Sequence, residues 1–281
     1  MDDLTTYAEN TWCPGCGNFG IFTSFKKAVL ELEEKGTPRS SIVFTSGIGQ
    51  HAKIFDYLNL SSFYSLHGRG TAAAEGIKMA NPDLTVVSFG GDGDSFGEGL
   101  AHLIFAAKRN MDITVIVHDN GVYGLTTGQF SPLSPTGYKG PSTPSGSVEN
   151  PFNPLTLMME SGATFVARGF SGKPEHLTGL FVRAIKHKGF SFVDVLQPCV
   201  TFLNTWEEYT EKTVIMETEP EHYEQAIAAA KKTDTLALGV FLETEKPVFH
   251  DSLYNGWNPA TRKQSRDERL KNLKEIICFE R

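Results

Sequence analysis

The feature that most constrains the fold is a repeated exchange between short, uninterrupted apolar runs and stretches of helical length. "SIVFTS" (41–46), "LTVVSFG" (84–90) and "DITVIVHD" (112–119) are rich in β-branched and aromatic residues and are bounded by Gly or Pro clusters, so they read as buried strands. Between them lie "GTAAAEGIKMA" (70–80) and "GEGLAHLIFAAKRN" (97–110), long enough to be crossover helices. Ahead of them, Phe22, Phe25, Val29 and Leu32 recur at helical spacing from Phe19 to Lys35, where Gly36 and Pro38 supply a stop. Later, "ATFVARG", "KPEHLTGLFVRAIKHKG" and "FSFVDVLQP" repeat the alternation. Strands that are apolar throughout and separated by helices imply a parallel sheet covered on both faces, a doubly wound α/β layer. With 40% hydrophobic residues in 281, the chain has enough apolar surface for a sizeable core.

Two segments break this rhythm. Residues 120–154 are rich in Gly, Ser, Thr and Pro, and six of the 14 prolines fall between Pro132 and Pro154. A loop of that length is expected to be a lid, a binding loop or a contact surface, with a mobile insertion as the plainer alternative. From about Lys246 polar and aromatic residues alternate without a clear sheet element. We therefore read one domain, residues 1–245, and a tail, 246–281, that either contacts a partner or is solvated.

A net charge of −7 argues against a nucleic-acid partner held through its phosphates. No apolar run is long enough to span a membrane, and "MDDLTTYAEN" has neither a basic nor an apolar leader region, so the expected location is cytoplasmic. Four cysteines, Cys13, Cys16, Cys199 and Cys278, are too few for a disulfide framework and are expected to be reduced or metal-bound.

Chemistry concentrates where the second apolar run ends, in "GGDGDSFGEG". In open parallel sheets ligands bind beyond the carboxyl ends of the strands. Gly90, Gly91 and Gly93 permit close backbone approach, and a helix starting near Gly97 would point free N–H groups at an anion. A carboxylate beside a phosphate needs a cation between them, and Mg²⁺ with Asp92 as a ligand meets that need. Asp92 and Asp94 as plain turn residues are the alternative. The next strand ends in "DNGVYG", which brings Asn120 to the same edge.

Gly-Asp-Gly, a spacer and then Asn resembles the thiamine diphosphate motif. That resemblance implies Mg²⁺ held by side-chain oxygens of Asp92 and Asn120 and the carbonyl of Val122. "WCPGCG", "TSGIGQ", "LHGR", "GIKMANPDLTVV", "YGLTTGQFSP" and "QPCVTF" then follow in order across about residues 10–245. Together they are similar to the β subunit of 2-oxoacid:ferredoxin oxidoreductases, which have the thiamine diphosphate-binding fold. The implied activity is oxidative decarboxylation of a 2-oxoacid to acyl-CoA and CO₂. Ser46, Gly47, Ile48, Gly49, His67, Gly68, Arg69, Gly91, Gly93, Asp94 and Tyr123 are then expected to border the cofactor, with Arg69 suited to its diphosphate. Gly124, Leu125 and Thr126 are expected against the thiazolium ring and substrate.

The same resemblance implies a four-iron four-sulfur cluster on Cys13, Cys16, Cys199 and a fourth cysteine, whose position holds Gln50. An amide is a poor ligand for iron beside thiolates. Cys278, His51 or the partner subunit would have to replace it, or the cluster is three-iron or absent; structural thiols or a small zinc site are the remaining alternatives. "GIGQHA" also fits a dinucleotide fingerprint but lacks the acidic residue that should follow. Lys53, just beyond this turn, either meets a substrate carboxylate or is an exposed salt-bridging lysine. The glutamate that promotes carbanion formation comes, in such enzymes, from the other subunit, and no motif assigns Glu75 or Glu98 to that role. The implied partners are an α (or fused α-γ) subunit, ferredoxin or flavodoxin, and coenzyme A. A non-redox thiamine-dependent 2-oxoacid decarboxylase subunit is the alternative function.

Overall fold

The computed structural model describes residues 4–277. In chain order the strands are β1 (Ile42–Ser46), β2 (Ser61–Tyr64), β3 (Thr85–Gly91), β4 (Thr114–Asp119), β5 (Val122–Tyr123), β6 (Gln129–Phe130), β7 (Phe165–Phe170), β8 (Ser191–Leu196), β9 (Thr213–Ile215) and β10 (Leu236–Glu243). All but β5 and β6 form one sheet, ordered β2-β1-β3-β4-β8-β7-β10-β9. Every residue of β4, β7 and β8 is buried, which is why their sequences show no polar alternation.

Helices Asn18–Glu34 and Pro174–Lys186 cover one face, where Phe25 sits edge-on to Phe89 and Phe181. Helices Gly70–Ala80, Leu100–Lys108, Pro154–Glu160 and Tyr223–Ala230 supply Ala74, Leu103, Met158 and Ala226 to the core on the other. The expected helix over 97–110 is shorter than its sequence suggested. Gly93–Glu98 forms a wide π-type turn, and the α-helix begins only at Leu100.

The expectation of an all-parallel sheet needs one amendment. β10 pairs antiparallel with β7, and β9 pairs parallel with β10, so the far edge runs backward. After β8 the chain leaves through helix Trp206–Lys212, so β10 returns from the opposite end.

Residues 120–154 are folded rather than loose. β5 and β6 form a hairpin, Gly137 N donates to Ser147 O (2.8 Å), Tyr138 Oη to Gly128 O (3.0 Å) and Phe152 N to Pro132 O (3.0 Å). Asn153 then caps the next helix by accepting from Thr156 N.

The start of the tail is fastened to the chain's own surface. Asn110, at φ 50°, donates from Nδ2 to Lys246 O (3.0 Å), and Tyr254 Oη donates to Met79 O (2.9 Å). Cys278 lies outside the described residues.

Candidate functional site

Three turns at the carboxyl ends of β1, β3 and β4 meet at one cavity. It is lined by Ile48, Gly49, Gln50, His51, His67, Gly91 to Asp94, Asn120 and Val122 to Thr126. β1 leads outward to β2 while the chain continues inward to β3, so the cavity opens where the strand order reverses.

Asp92 is buried at the end of β3, and its carboxylate accepts from the Ser131 hydroxyl and from the backbone N–H groups of Gly93 and Asn120. The anticipated meeting of Asp92 with Asn120 is therefore present. Burial pushes the Asp92 carboxyl up to about 7, a cost that a nearby cation would offset. Asn120 Oδ1 accepts from Val122 N (2.9 Å), which turns the chain so that residues 120 and 122 face the same cavity.

Asp94 acts differently. Its Oδ1 accepts from Gly68 N (2.7 Å) and Ile48 N (3.0 Å) and lies 2.6 Å from His67 Nδ1. One buried carboxylate thus joins the turn after β1, the "LHGR" turn and the turn after β3. Gly47 is required beside it, since a Cβ there would stand 2.0 Å from Asp94 Oδ2. Gly93 is likewise required, because a Cβ would stand 2.3 Å from the Tyr123 ring. Tyr123 donates to Gly93 O (3.2 Å), and burial with nearby carboxylates pushes its phenol up to about 12.

Some expected site residues do not reach this cavity. Lys53 is half-buried, and its ammonium pairs with Asp56 at 3.1 Å, because Asp56 stands one turn further along. Arg69 is exposed, and its Nη1 donates to Glu98 O (2.9 Å), pinning the "LHGR" turn to the β3 turn. Ser46 is buried and supports the turn from below, with Oγ 3.3 Å from Gly47 O.

His51 was a candidate cluster ligand, but its ring belongs to this cavity. Its Nε2 is 3.7 Å from Asp94 Oδ2, and burial holds the imidazole down to about 3, hence neutral. Ser131 lies within "YGLTTGQFSP", but that motif assigned it no role. It stands far from Asp92 in sequence and is delivered by the fold of the long loop.

Glu75 is also away from the cavity, with Oε2 3.5 Å from Arg109 and Oε1 buried without a partner. Burial raises its carboxyl pKa above the unfolded value. A raised carboxyl contributes stability that is present below the unfolded pKa and lost as pH rises through the folded one. Glu75→Gln should therefore raise stability at neutral pH by up to about 1 kcal/mol, with no gain at acid pH and unchanged cofactor affinity. Urea titrations at two pH values read this directly, and a destabilised variant at neutral pH would refute it.

A second cavity, of about 270 Å³, lies behind the first. Cys13, Cys16 and Cys199 all line it, as do Asn18, Gln50, Gln197 and Thr201. A tight turn through Pro14 and Gly15 brings Cys16 N to Cys13 O (3.0 Å), and Trp206 Nε1 fixes that turn by donating to Gly15 O (2.8 Å). Thr201 Oγ1 donates to Cys13 Sγ (3.3 Å), and Gln197 Nε2 to Cys16 Sγ (3.5 Å). Burial lifts the Cys16 thiol to about 11, and the other two cysteines add to it. Among the described residues no three His, Cys, Asp or Glu side chains converge on a single-ion site. A cluster asks for something else, since each thiolate binds a different iron around a shared core. Gln50, Asn120, Gly124 and Leu125 line both cavities and so form the partition between them.

Comparison with known proteins agrees with this geometry. Residues 47–195 match the family model for the thiamine pyrophosphate enzyme, C-terminal TPP binding domain. A 2-oxoacid:ferredoxin oxidoreductase subunit beta from Sulfolobus sp is 39% identical, over 97% of this chain and 96% of its own. Its counterpart from Saccharolobus solfataricus is 46% identical, over 75% of this chain and 70% of its own. Among solved structures, a 2-oxoglutarate:ferredoxin oxidoreductase from Magnetococcus marinus, with 2-oxoglutarate, coenzyme A and succinyl-CoA bound, superposes with a TM-score of 0.89. That match is 33% identical and covers 99% of this chain and 95% of the other. At this identity and coverage the chain belongs to the family of 2-oxoacid:ferredoxin oxidoreductase beta subunits.

Proposed function

We propose that this chain, with an α subunit, carries out the coenzyme A-dependent oxidative decarboxylation of a 2-oxoacid to acyl-CoA and CO₂, and passes the electrons through an iron–sulfur cluster to ferredoxin or flavodoxin. Thiamine diphosphate, when bound, supplies the electron sink that the loss of CO₂ requires. The observation that carries the reading is the meeting of Asp92 with Asn120 in a cavity partitioned by one layer of residues from three cysteines.

In this reading Asp92 and Asn120 give side-chain oxygens and Val122 its carbonyl to Mg²⁺, leaving the other positions to phosphate and water. Ser131 orients Asp92 from behind, as partners of metal-ligating carboxylates do. The glycines of the β1 and β3 turns let backbone approach the diphosphate. Tyr123 holds the β3 turn, and Leu125 and Thr126 face the reacting end. Cys13, Cys16 and Cys199 are the cluster ligands. The non-redox alternative has no observation in its favour.

Leu125 stands 45% exposed at the mouth, and Phe63, Tyr64 and Leu66 are exposed on the chain leading into His67. This apolar rim is where the α subunit would roof the cavity, and the tail after residue 245 is a second region for partner contact. No helix among the described residues is long and apolar enough to cross a membrane, and a cytoplasmic location is part of this proposal.

Titration calorimetry of the chain with thiamine diphosphate tests the reading. Binding is expected with Mg²⁺ and lost with chelator, and 2-oxoacid oxidation is expected only after the α subunit is added. No binding with Mg²⁺ present would overturn it.

A further inference from the structure

We propose that the cluster carried by this chain has three cysteine corners and a fourth corner without a protein thiolate, at Gln50 on the partition toward the cofactor cavity, so that its fourth iron is exchangeable. This rests on the reading of Cys13, Cys16 and Cys199 as cluster ligands.

The cavity itself argues for a bound group. Asn18 Nδ2 and Gln197 Oε1 belong to side chains only 1% exposed that line it, and neither atom has a hydrogen-bond partner. A buried donor left without an acceptor is costly, and a sulfide-bearing core gives Asn18 Nδ2 one. The sulfurs of Cys13 and Cys16 already accept hydrogen bonds from Thr201 and Gln197, as cluster thiolates commonly do.

The fourth corner follows from what surrounds the remaining side. Among the described residues, no His, Cys, Asp or Glu other than the three cysteines lines this cavity. Gln50 is held there by its own backbone, whose carbonyl accepts from Trp12 Nε1 at 2.8 Å, next to Cys13. His51, the adjacent residue, is turned into the other cavity, with Nδ1 2.8 Å from where a Cβ on Gly91 would stand. A neutral amide holds iron far more weakly than a thiolate does.

An iron held at that corner can leave without breaking a thiolate bond. The exchange balances as [4Fe–4S]²⁺ giving [3Fe–4S]⁰ and Fe²⁺, after which one electron passes to ferricyanide to leave [3Fe–4S]⁺. Added Fe²⁺ with a reductant reverses both steps. The corner also lacks one negative charge, which sets the cluster at a higher potential than one with four thiolates.

The test uses full-length protein isolated without oxygen, with any copurifying subunit retained, alongside Gln50→Cys and Cys278→Ser. Iron, sulfide and low-temperature EPR are measured before and after brief ferricyanide, and thiamine diphosphate binding is measured on each sample. The wild-type chain is expected to lose about one iron in four, with sulfide unchanged, and to gain the near-isotropic signal of an oxidised three-iron cluster. Cys278→Ser should behave identically. Gln50→Cys should keep its iron, show no such signal and reduce at lower potential. If Gln50→Cys does not bind cofactor, Gln50→Ala takes its place and must convert as the wild type does.

Retention of all four irons by the wild type would overturn the proposal, and if Cys278→Ser then loses one, Cys278 is the fourth ligand. Equal iron loss in Gln50→Cys would also overturn it, because the open corner would lie elsewhere. Cofactor binding without iron in wild type and Gln50→Cys would overturn the cluster and leave the thiamine reading standing. Absence of cofactor binding in the wild type would instead count against the proposed function.

Discussion

Asp94→Ala is expected to destabilise the apo-protein by about 4 kcal/mol and to abolish thiamine diphosphate binding, whereas Asp92→Ala is expected to abolish the binding at a smaller cost in stability. Asp94 accepts from Ile48 N and Gly68 N, and its removal leaves two backbone N–H groups without their carboxylate partner. Charge-assisted bonds of this kind contribute about 1.5–3 kcal/mol each. Three turns would then lose their common tie, and the cavity with them. Asp92 stands in the opposite position. Its folded pKa of about 7 means that burial opposes its charge, so its contribution to apo stability is present at low pH and lost as pH rises through 7. Removing it at pH 8 relieves that buried charge but leaves the Ser131 hydroxyl and the Gly93 and Asn120 N–H groups without it, so the cost to the apo-protein should be smaller than that of Asp94→Ala. Urea unfolding without ligands, paired with calorimetry, separates the two variants. Equal apo stability in Asp94→Ala and wild type would remove Asp94 from its structural role.

The second large effect is expected at Arg168. It lies opposite Asp194 across β7 and β8, with Nε 3.1 Å from Oδ2, and the two side chains are 8% and 0% exposed. Burial raises the Asp194 carboxyl pKa even though Arg168 pulls it down, and Asp194 Oδ1 has no partner. Arg168→Met leaves that carboxylate buried beside Asp119 and should cost about 3–5 kcal/mol at neutral pH. Because the folded pKa lies above the unfolded one, the deficit should shrink as pH falls toward the ordinary carboxylate range. Arg168→Met combined with Asp194→Leu should recover most of the loss, since no charge is then stranded. A deficit that persists unchanged in the double variant would show that Arg168 acts through packing on Phe241 rather than through the ion pair.

How much of this could be read in advance differs by kind of residue. β1, β3, β4, β7 and β8 were legible because burial on both faces writes itself as short, mainly apolar runs without polar alternation, even where β7 and β8 carry the paired Arg168 and Asp194. β2, "SSFY", was not, since an exposed edge strand has no such burden, and three of its four residues are exposed. β10, "LALGVFLE", is apolar enough to have been found, but its reversed direction follows from where the preceding helices deposit the chain.

Asp92 and Asn120 were legible because a strand end fixes where a short side chain must be. Lys53 and Arg69 were harder to place, because long side chains go where tertiary partners are, here Asp56 and the carbonyl of Glu98. Asp94 was found as a residue but not as a tie, because nothing local tells that three separate turns converge on one oxygen.

The hairpin and proline-rich stretch between Asn120 and Asn153 spends its hydrogen-bonding groups on itself and on Asp92. Such a wall behaves as a mould rather than a door. With the α subunit roofing the cavity as proposed, the pace of substrate entry and product escape is expected to follow how tightly that subunit seats over the mouth rather than the swing of a flap on this side. Solvent viscosity should then act on the assembled enzyme through that seam, and crosslinking within the stretch itself should leave the rate as it was.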